Sequence, residues 1–278
     1  MFLENLKQIY AVNKHKRPLL LRNLVKETIQ IYILNYIFNS PWGSRLIMKG
    51  GTCLRFCFGL PRLSEDLDFD IEDNKAFKIE AFSRDLKDYF AKTLQFPKVE
   101  FKLAGNKRTI YLKFPILADL GFPLTKSESN IIHVRLDFAI APKFGYTTEI
   151  SLKSTPDFSF LIRRYSLPDL FAGKILAIIS RETIEGTVKK ERFKGRDYYD
   201  LAWFLEKEVM PNWIFIEQAT GLKKKDVVVK IKEKINAVTP KFIKEDLLPF
   251  FENTTFIDDF SRNFHSLISS RLERKILS

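Results

Sequence analysis

The distribution of apolar and polar residues divides the chain into helical stretches near its ends and strand-like stretches between them. Apolar side chains recur at helical spacing through residues 1–40 and again through residues 74–97. Strict alternation, which is typical of a strand with one buried face, occurs at residues 66–71, 99–103, 109–114 and 131–140. The pattern therefore predicts an α+β fold, with a β-sheet core and flanking helices.

A strong helix start lies in the second half of the chain. Ser166 can cap a helix, Pro168 fits its first turn, and Asp169 follows the cap by three residues. A basic segment at residues 187–196 follows this helix, and the spacing is helical again over residues 206–278. We therefore expect two domains: residues 1–160 with the sheet and the N-terminal helices, and residues 161–278 as a mainly helical C-terminal half.

Alternating carboxylates lie near the end of the stretch Lys49–Asp73. Asp66 and Asp68 are two positions apart on a predicted strand, so they lie side by side on one face. Two carboxylates held so close repel each other unless a cation lies between them. Oxygen-only ligands suit Mg²⁺, which completes its coordination with water and phosphate oxygens. The pattern predicts a divalent metal at this face, although such strands are also found as solvated sheet faces.

A paired glycine turn precedes these carboxylates. Gly50 and Gly51 follow a short apolar strand and allow the backbone to approach a ligand closely. Thr52 then opens a predicted helix, whose free backbone N–H groups can hold a phosphate. Arg55 lies one helical turn later on the same side, within reach of a phosphate or of the carboxylates, and Ser64 lies in the loop before the strand. We expect the turn to bind a nucleoside triphosphate.

Three further charged positions interrupt apolar segments. Asp137 lies in an apolar strand and needs a partner: a metal ion, an arginine such as Arg135, or solvent. Lys174 is the one cation in the apolar body of its helix, where it either extends to the surface or points into a cleft. Asp197 shares a face of the next helix with Asp200, and structural ion pairing is open for both.

Composition narrows the choice of partners. The chain has 278 residues, 45% hydrophobic and 29% charged, with a net charge of +12 that favours polyanionic partners such as nucleic acid.

Cys53 and Cys57 lack a second Cys pair or a nearby His for a zinc site. We expect reduced thiols in a cytoplasmic protein without a signal peptide or a membrane span, because the apolar run at residues 29–38 is too short.

Four sequence blocks occur in the order typical of one family: KGGTCLR, GLPRLSEDLDFDI, LFAGKILAIISRE and KGRDYYDL. In these blocks, which lie between residues 46 and 205, the chain resembles the AbiEii/AbiGii toxin family of nucleotidyltransferases, within the DNA polymerase beta-like superfamily. The resemblance implies a nucleotidyltransferase-fold mixed β-sheet core with flanking helices, followed by a helical C-terminal domain that carries the Lys174 and Asp197 motifs.

The resemblance also implies a reaction, in which an acceptor attacks the α-phosphate of an NTP and pyrophosphate is released. Mg²⁺ or Mn²⁺ would be held by Asp66, Asp68 and Asp137. The nucleotide would be bound by Gly50, Gly51, Thr52, Arg55, Ser64 and Lys174. Lys174 would stabilise negative charge and Asp197 would support Lys174 or the acceptor hydroxyl, so the catalytic set is Asp66, Asp68, Lys174 and Asp197.

The implied biological role is that of a type IV toxin with a cognate antitoxin protein. Its relatives add nucleotides to the 3′ end of tRNA, so tRNA or another RNA is the expected acceptor. Two alternatives remain open: nucleotidylation of a protein or small molecule, and nucleotide or RNA binding without turnover.

Overall fold

The computed structural model describes residues 2–73, 76–105, 108–143, 145–185, 188–191 and 193–276. It consists of two compact units. The first contains residues 1–142 and 148–164, and the second contains residues 143–147 and 165–278. None of the described helices combines the length and the apolar character needed to cross a membrane.

The first unit contains a seven-stranded sheet and five helices among the described residues. The helices are α1 (Phe2–Asn13), α2 (Pro18–Phe38), α3 (Gly50–Phe58), α4 (Ile79–Asp88) and α5 (Leu117–Leu120). The strands are β1 (Leu46–Lys49), β2 (Asp66–Ile71), β3 (Glu100–Ala104), β4 (Thr109–Pro115), β5 (Ile131–Ile140), β6 (Thr148–Ser154) and β7 (Ser159–Tyr165). A 3₁₀ turn at Gly43–Arg45 precedes β1, and a π-helical turn at Tyr89–Thr93 extends α4.

The sheet is mixed and its strand order is β3-β4-β5-β2-β1-β7-β6. β2 pairs antiparallel with β1 and parallel with β5, so the strand that carries the alternating carboxylates lies in the interior of the sheet. β1 also pairs parallel with β7. Interior strands have both neighbours in place, and this fixes which side chains of β1 and β5 lie beside each carboxylate of β2.

Aromatic packing explains much of the chain's high phenylalanine content. Leu67 and Phe69, which alternate with the carboxylates of β2, are fully buried. Phe69 stacks on Phe138 of β5 at 5.7 Å between ring centroids, and Phe82 of α4 contacts Phe138 edge-on at 5.6 Å. Buried aromatic pairs of this kind add about 1 kcal/mol each beyond their buried area. The apolar face of β2 is thereby secured, and the carboxylates occupy its other face.

The second unit is mainly helical. Its elements are α6 (Leu167–Ser180), β8 (Glu182–Glu185), β9 (Val188–Glu191), α7 (Gly195–Glu206), α8 (Trp213–Thr220), α9 (Lys224–Asn236), α10 (Pro240–Leu247) and α11 (Thr254–Ile276). A 3₁₀ turn at Leu248–Phe250 follows α10. Ser166 caps α6 by accepting a hydrogen bond from the Asp169 backbone N–H, as its position in the sequence indicates.

The predicted fold class, an α+β fold with a mixed sheet followed by a helical half, is confirmed. The helix predicted over residues 74–97 is shorter and lies at Ile79–Asp88, and residues 74–75 lie outside the described residues. The alternation did not identify β6 and β7. On β6 the apolar residues Ile150 and Leu152 are exposed, so the strand lacks the usual buried apolar face.

Candidate active site

The polar face of β2 is the centre of the candidate site in the first unit. Asp66 and Asp68 are half-buried there. In the strand register, Asp68 lies between Lys49 of β1 and Asp137 of β5, while Asp66 lies beside Arg135 of β5. Two basic and three acidic side chains therefore meet across three adjacent strands, with Asp68 directly beside Asp137. The carboxylate pair predicted from the sequence lies on the middle strand of this group.

Asp70 is the third carboxylate in the alternation of β2, and its environment differs. Its side chain is buried, and Lys49 Nζ donates to its Oδ1 at 2.5 Å. A buried carboxylate requires such a partner because desolvation of an unpaired charge is expensive. Lys49 thus supports the strand through Asp70.

Asp137 is bound on both of its oxygens. Arg135 Nε donates to Asp137 Oδ2 at 2.6 Å, and Thr109 Oγ1 donates to Oδ1 at 2.7 Å. The hydrogen bond to Asp137 and its charge raise the pKa of the Arg135 guanidinium, although partial burial opposes this. Of the partners considered from the sequence, the arginine is the one that the structure places on Asp137. Its role as a metal ligand remains a prediction.

Two side chains on this face have the donor chemistry that suits a hard divalent ion. Asp66 and Asp68 offer oxygen ligands from one strand face, and Mg²⁺ commonly binds through one or two carboxylates plus water and phosphate oxygens. Over the parts of the chain that the structure describes, no group of three or more His, Cys, Asp and Glu side chains is arranged to hold a metal. The two carboxylates, with the phosphates of a nucleotide, are thus the set that fits.

The glycine turn lies directly against these carboxylates. Gly50 has a φ of +78°, a conformation that other residues rarely adopt, and a Cβ at this position would collide with Asp68 Oδ2. A Cβ on Gly51 would lie 2.5 Å from a guanidinium nitrogen of Arg62 and 2.9 Å from Ser64 Oγ. Only glycine allows the turn to approach both the carboxylate strand and the loop before it.

Thr52 and Ser64 hold this turn in place. Thr52 is fully buried in α3, and its Oγ1 donates to the backbone carbonyl of Asp66 at 2.5 Å. Ser64 is also buried, and its carbonyl accepts a hydrogen bond of 3.3 Å from Gln30 of α2. The helix begins at Gly50, two residues before the predicted start. The Thr52 hydroxyl therefore joins the helix to β2, and its backbone remains the group available for phosphate binding.

Arg55 connects α3 to α2. Its Nε and a terminal nitrogen contact the Glu27 carboxylate at 2.9 and 3.2 Å, and the other terminal nitrogen donates to the carbonyls of Leu60 and Pro61. A bidentate pair of this kind positions both helices. Nucleotide binding by Arg55 remains a prediction, and it would compete with these contacts.

Arg62 lies at this site but is not among the site residues predicted from the sequence. Its side chain is buried, its Nη1 donates to the Leu63 carbonyl at 2.9 Å, and its guanidinium lies next to Gly51. A buried arginine beside the glycine turn adds positive charge to the place where the sequence predicts phosphate binding. Its place in the loop between the turn and β2 was the available signal, and a surface role was an equal alternative.

A second charged cluster lies in the second unit, where α6 packs on α7. Phe171 and Phe204 stack at 4.4 Å between ring centroids and hold the two helices together. One turn away, Lys174 Nζ contacts Asp197 Oδ1 at 2.9 Å and Asp200 Oδ2 at 2.7 Å. The Lys174 side chain is only 11% exposed, so it does not extend to the surface.

Arg181 completes this cluster by contacting Asp197 Oδ2 at 2.8 Å. Burial alone would raise the pKa of Asp197, but the charges of Lys174 and Arg181 outweigh it and hold the pKa below its usual value. Asp200 is fully buried beside the same lysine. Two carboxylates and two cations therefore neutralise each other inside the unit, and Lys174 has a fixed position.

One family model matches most of the chain. The model of the family "Nucleotidyl transferase AbiEii toxin, Type IV TA system" matches residues 32–268, which include both charged clusters and the glycine turn. The chain belongs to the AbiEii family. The predicted resemblance is thereby confirmed, and this AbiEii protein is a nucleotidyltransferase toxin of a type IV toxin–antitoxin system, which implies an antitoxin partner.

A solved structure supports the fold of this AbiEii protein. MenT4, the nucleotidyltransferase toxin Rv2826c from Mycobacterium tuberculosis H37Rv, is similar over 97% of this chain and 94% of its own, with a TM-score of 0.57 and 15% identity. JHP933 from Helicobacter pylori matches over 90% of this chain and 95% of its own at a TM-score of 0.44 and 17% identity. No curated protein matches the chain in sequence.

Proposed function

We propose that this AbiEii protein transfers NMP from an NTP to the 3′ end of tRNA, releases pyrophosphate and so blocks translation. The observation that carries the proposal is the contact between the Gly50–Gly51 turn and the Asp68 carboxylate. It unites a backbone suited to phosphate with side chains suited to a divalent ion. Membership of a nucleotidyltransferase family supports the reaction type.

The residues of the first unit would bind and orient the NTP. The backbone N–H groups of Gly50, Gly51 and Thr52 at the start of α3 would hold its phosphates, with the nearby positive charge of Arg62. Asp66 and Asp68 would hold Mg²⁺ or Mn²⁺, which when bound polarises the α-phosphate and favours ionisation of the attacking hydroxyl. Asp137, Arg55 and Ser64 are retained as predicted members of this site.

The transfer itself exchanges one phosphorus–oxygen bond for another. The 3′ oxygen of the acceptor bonds to the α-phosphorus, the bond from that phosphorus to the β-phosphate oxygen breaks, pyrophosphate leaves, and the hydroxyl proton passes to solvent. We propose that Lys174 stabilises the charge that develops on the phosphates and that Asp197 orients Lys174 through their 2.9 Å contact.

The charge of the chain supports an RNA acceptor. Its net charge is +12, and lysines neutralise phosphates without reading sequence. In the second unit, Lys225 and Lys230 add exposed positive charge to α9. A tRNA substrate and an NTP would meet this protein in the cytoplasm, where we place it.

The test is incubation of the purified protein with total tRNA, Mg²⁺ and each α-³²P-labelled NTP in turn. We expect label on tRNA with one or more nucleotides, and loss of that label in Asp66→Asn, an isosteric variant that should stay folded. Asp119→Asn, which changes a half-exposed carboxylate on α5, is the matched control and should keep the activity. Label on a protein and not on tRNA would show that the acceptor is a protein. Bound NTP without any labelled product would refute the transferase mechanism.

A further inference from the structure

Strand β6 forms one edge of the seven-stranded sheet and carries exposed apolar side chains. The strand order ends at β6 within the described residues. Ile150 and Leu152 of β6 are each 66% exposed, and Leu161 of the neighbouring strand β7 is 57% exposed. Edge strands with exposed apolar residues tend to pair with another strand, so natural proteins usually shield them. β6 therefore has the properties of an interaction surface.

The opposite face of β6 is held by its own unit. Ser151 Oγ accepts a hydrogen bond from Arg164 Nε at 2.7 Å, and Glu149 pairs with Arg164 at 2.7 Å. Lys153 Nζ lies 5.0 Å from the centre of the Phe56 ring of α3. These contacts order the strand, so its edge is presented in a fixed conformation and a partner would lose little entropy in binding it.

The sequence of β6, Thr-Glu-Ile-Ser-Leu-Lys-Ser, is complementary to itself in antiparallel orientation. With Ser151 on a two-fold axis, Ile150 faces Leu152 of a second copy. Glu149 then faces Lys153 of the second copy, and Thr148 faces Ser154. Apolar pairs and opposite charges are the cross-strand pairs that stabilise antiparallel sheets, by about 0.2–1 kcal/mol each.

The other edge of the same sheet lacks this property. β3 reads Glu-Phe-Lys-Leu-Ala, and a two-fold axis at its centre would place Lys102 against Lys102 of a second copy. Like charges directly opposite each other destabilise a strand pair. The contrast argues that self-complementarity is particular to β6 and is not a general feature of the edges of this sheet.

We propose that two copies of this protein associate through antiparallel pairing of their β6 strands, which joins the two sheets into one. The partner is a second copy of the chain, and its residues 148–154 are the segment that binds. The charges of Glu149 and Lys153 favour this pairing and disfavour other strands, which supplies specificity.

A cysteine placed on the two-fold axis tests the register. Opposed residues in an antiparallel pair have Cα atoms about 4.5–5.5 Å apart, within the range of a disulfide. Because the free Cys57 thiol lies within hydrogen-bond reach of the Ser151 side chain, both cysteine variants are made in a Cys53→Ser, Cys57→Ser background. There, Ser151→Cys should form a covalent dimer under mild oxidation, as seen on a non-reducing gel. Ser154→Cys is the matched control, because the two copies of residue 154 would be about 20 Å apart. Equal cross-linking of both variants, or of neither, would overturn the proposed register.

A charge exchange at the exposed apolar pair tests the association itself. Ile150→Lys and Leu152→Glu should each sediment as monomers at a concentration where the unchanged protein is dimeric. A mixture of the two variants should recover dimer, because the introduced lysine of one copy would then face the introduced glutamate of the other. Val12→Lys, at another exposed apolar position, should leave the dimer intact. An unchanged protein that is monomeric at about 100 μM, where even a weak pair with a micromolar Kd would be dimeric, would refute the proposal, as would a mixture that stays monomeric.

Discussion

The two acidic pairs of this AbiEii protein have the same chemistry and opposite environments. Asp66 and Asp68 are half-buried on a sheet strand beside a glycine turn. Asp197 and Asp200 are enclosed between two helices, where Lys174 contacts Asp197 at 2.9 Å and Asp200 at 2.7 Å. The first pair is exposed enough to bind a ligand. The second is neutralised by the protein's own cations.

This difference predicts which pair contributes mainly to the stability of the folded protein and which contributes mainly to activity. Removing one partner from a buried ion pair leaves an uncompensated charge, so changes in the helical cluster should act first on folding. The partly exposed pair costs little to desolvate, so changes there should act first on activity. The variants that follow test this division, in order of decreasing expected effect.

The largest effect is expected for Asp68→Asn. Loss of one metal-binding charge should lower the rate of nucleotide transfer at least about 1000-fold, which corresponds to about 4 kcal/mol, while the melting temperature changes by only a few degrees. The rate is measured with saturating NTP and the melting temperature by calorimetry. Asp70→Asn, on the same strand but paired with Lys49, should instead lower the melting temperature. The reverse outcome would contradict the division.

The second effect concerns Asp200→Ala. This change leaves Lys174 with one carboxylate in a buried site and removes packing, so the free energy of unfolding should fall by about 3 kcal/mol. Urea denaturation followed by circular dichroism measures it. Asp119→Ala, at an exposed ion pair, should change stability by less than about 1 kcal/mol. An Asp200→Ala protein as stable as that control would show that the cluster is not a folding element.

The third effect separates backbone strain from contact at the glycine turn. Gly50→Ala forces a side chain into a left-handed conformation, which costs about 1–2 kcal/mol, and also displaces Asp68. Gly221→Ala has a similar φ of +71° with nothing within 4 Å of the new Cβ, so it should cost stability alone. Nucleotide transfer should fall at least about tenfold in the first variant and stay unchanged in the second. Equal activity in both would remove the turn from the site.

The smallest effect is a pH dependence due to Asp197. Because its pKa is lowered in the folded state, ionised Asp197 stabilises the protein above the unfolded pKa of about 4, and this contribution is lost as the pH falls through the lower folded value. The difference in unfolding free energy between the unchanged protein and Asp197→Asn should therefore narrow from about pH 6 to about pH 3. A difference that is constant over this range would show that the ion pairs do not lower the pKa.

Local patterns predicted a substantial part of this molecule. The two-residue period of β2 and the glycine pair at the start of α3 are properties of adjacent residues, and they indicated Asp66, Asp68 and Gly50 as candidate site residues. The capped start of α6 is local in the same sense. Strands β6 and β7 were not predicted. On β6, Ile150 and Leu152 alternate with polar residues, but the structure leaves them exposed instead of buried.

The sequence by itself determined most of the elements, the family and which residues could carry the chemistry, because these depend on periodicity and on short blocks of residues. Only the tertiary structure decided which charges neutralise each other. Lys49 binds Asp70, Arg135 binds Asp137, and Lys174 lies between Asp197 and Asp200. Such contacts depend on strand register and helix packing between distant segments, and the energy of a charge depends on its burial and neighbours, which no local pattern contains.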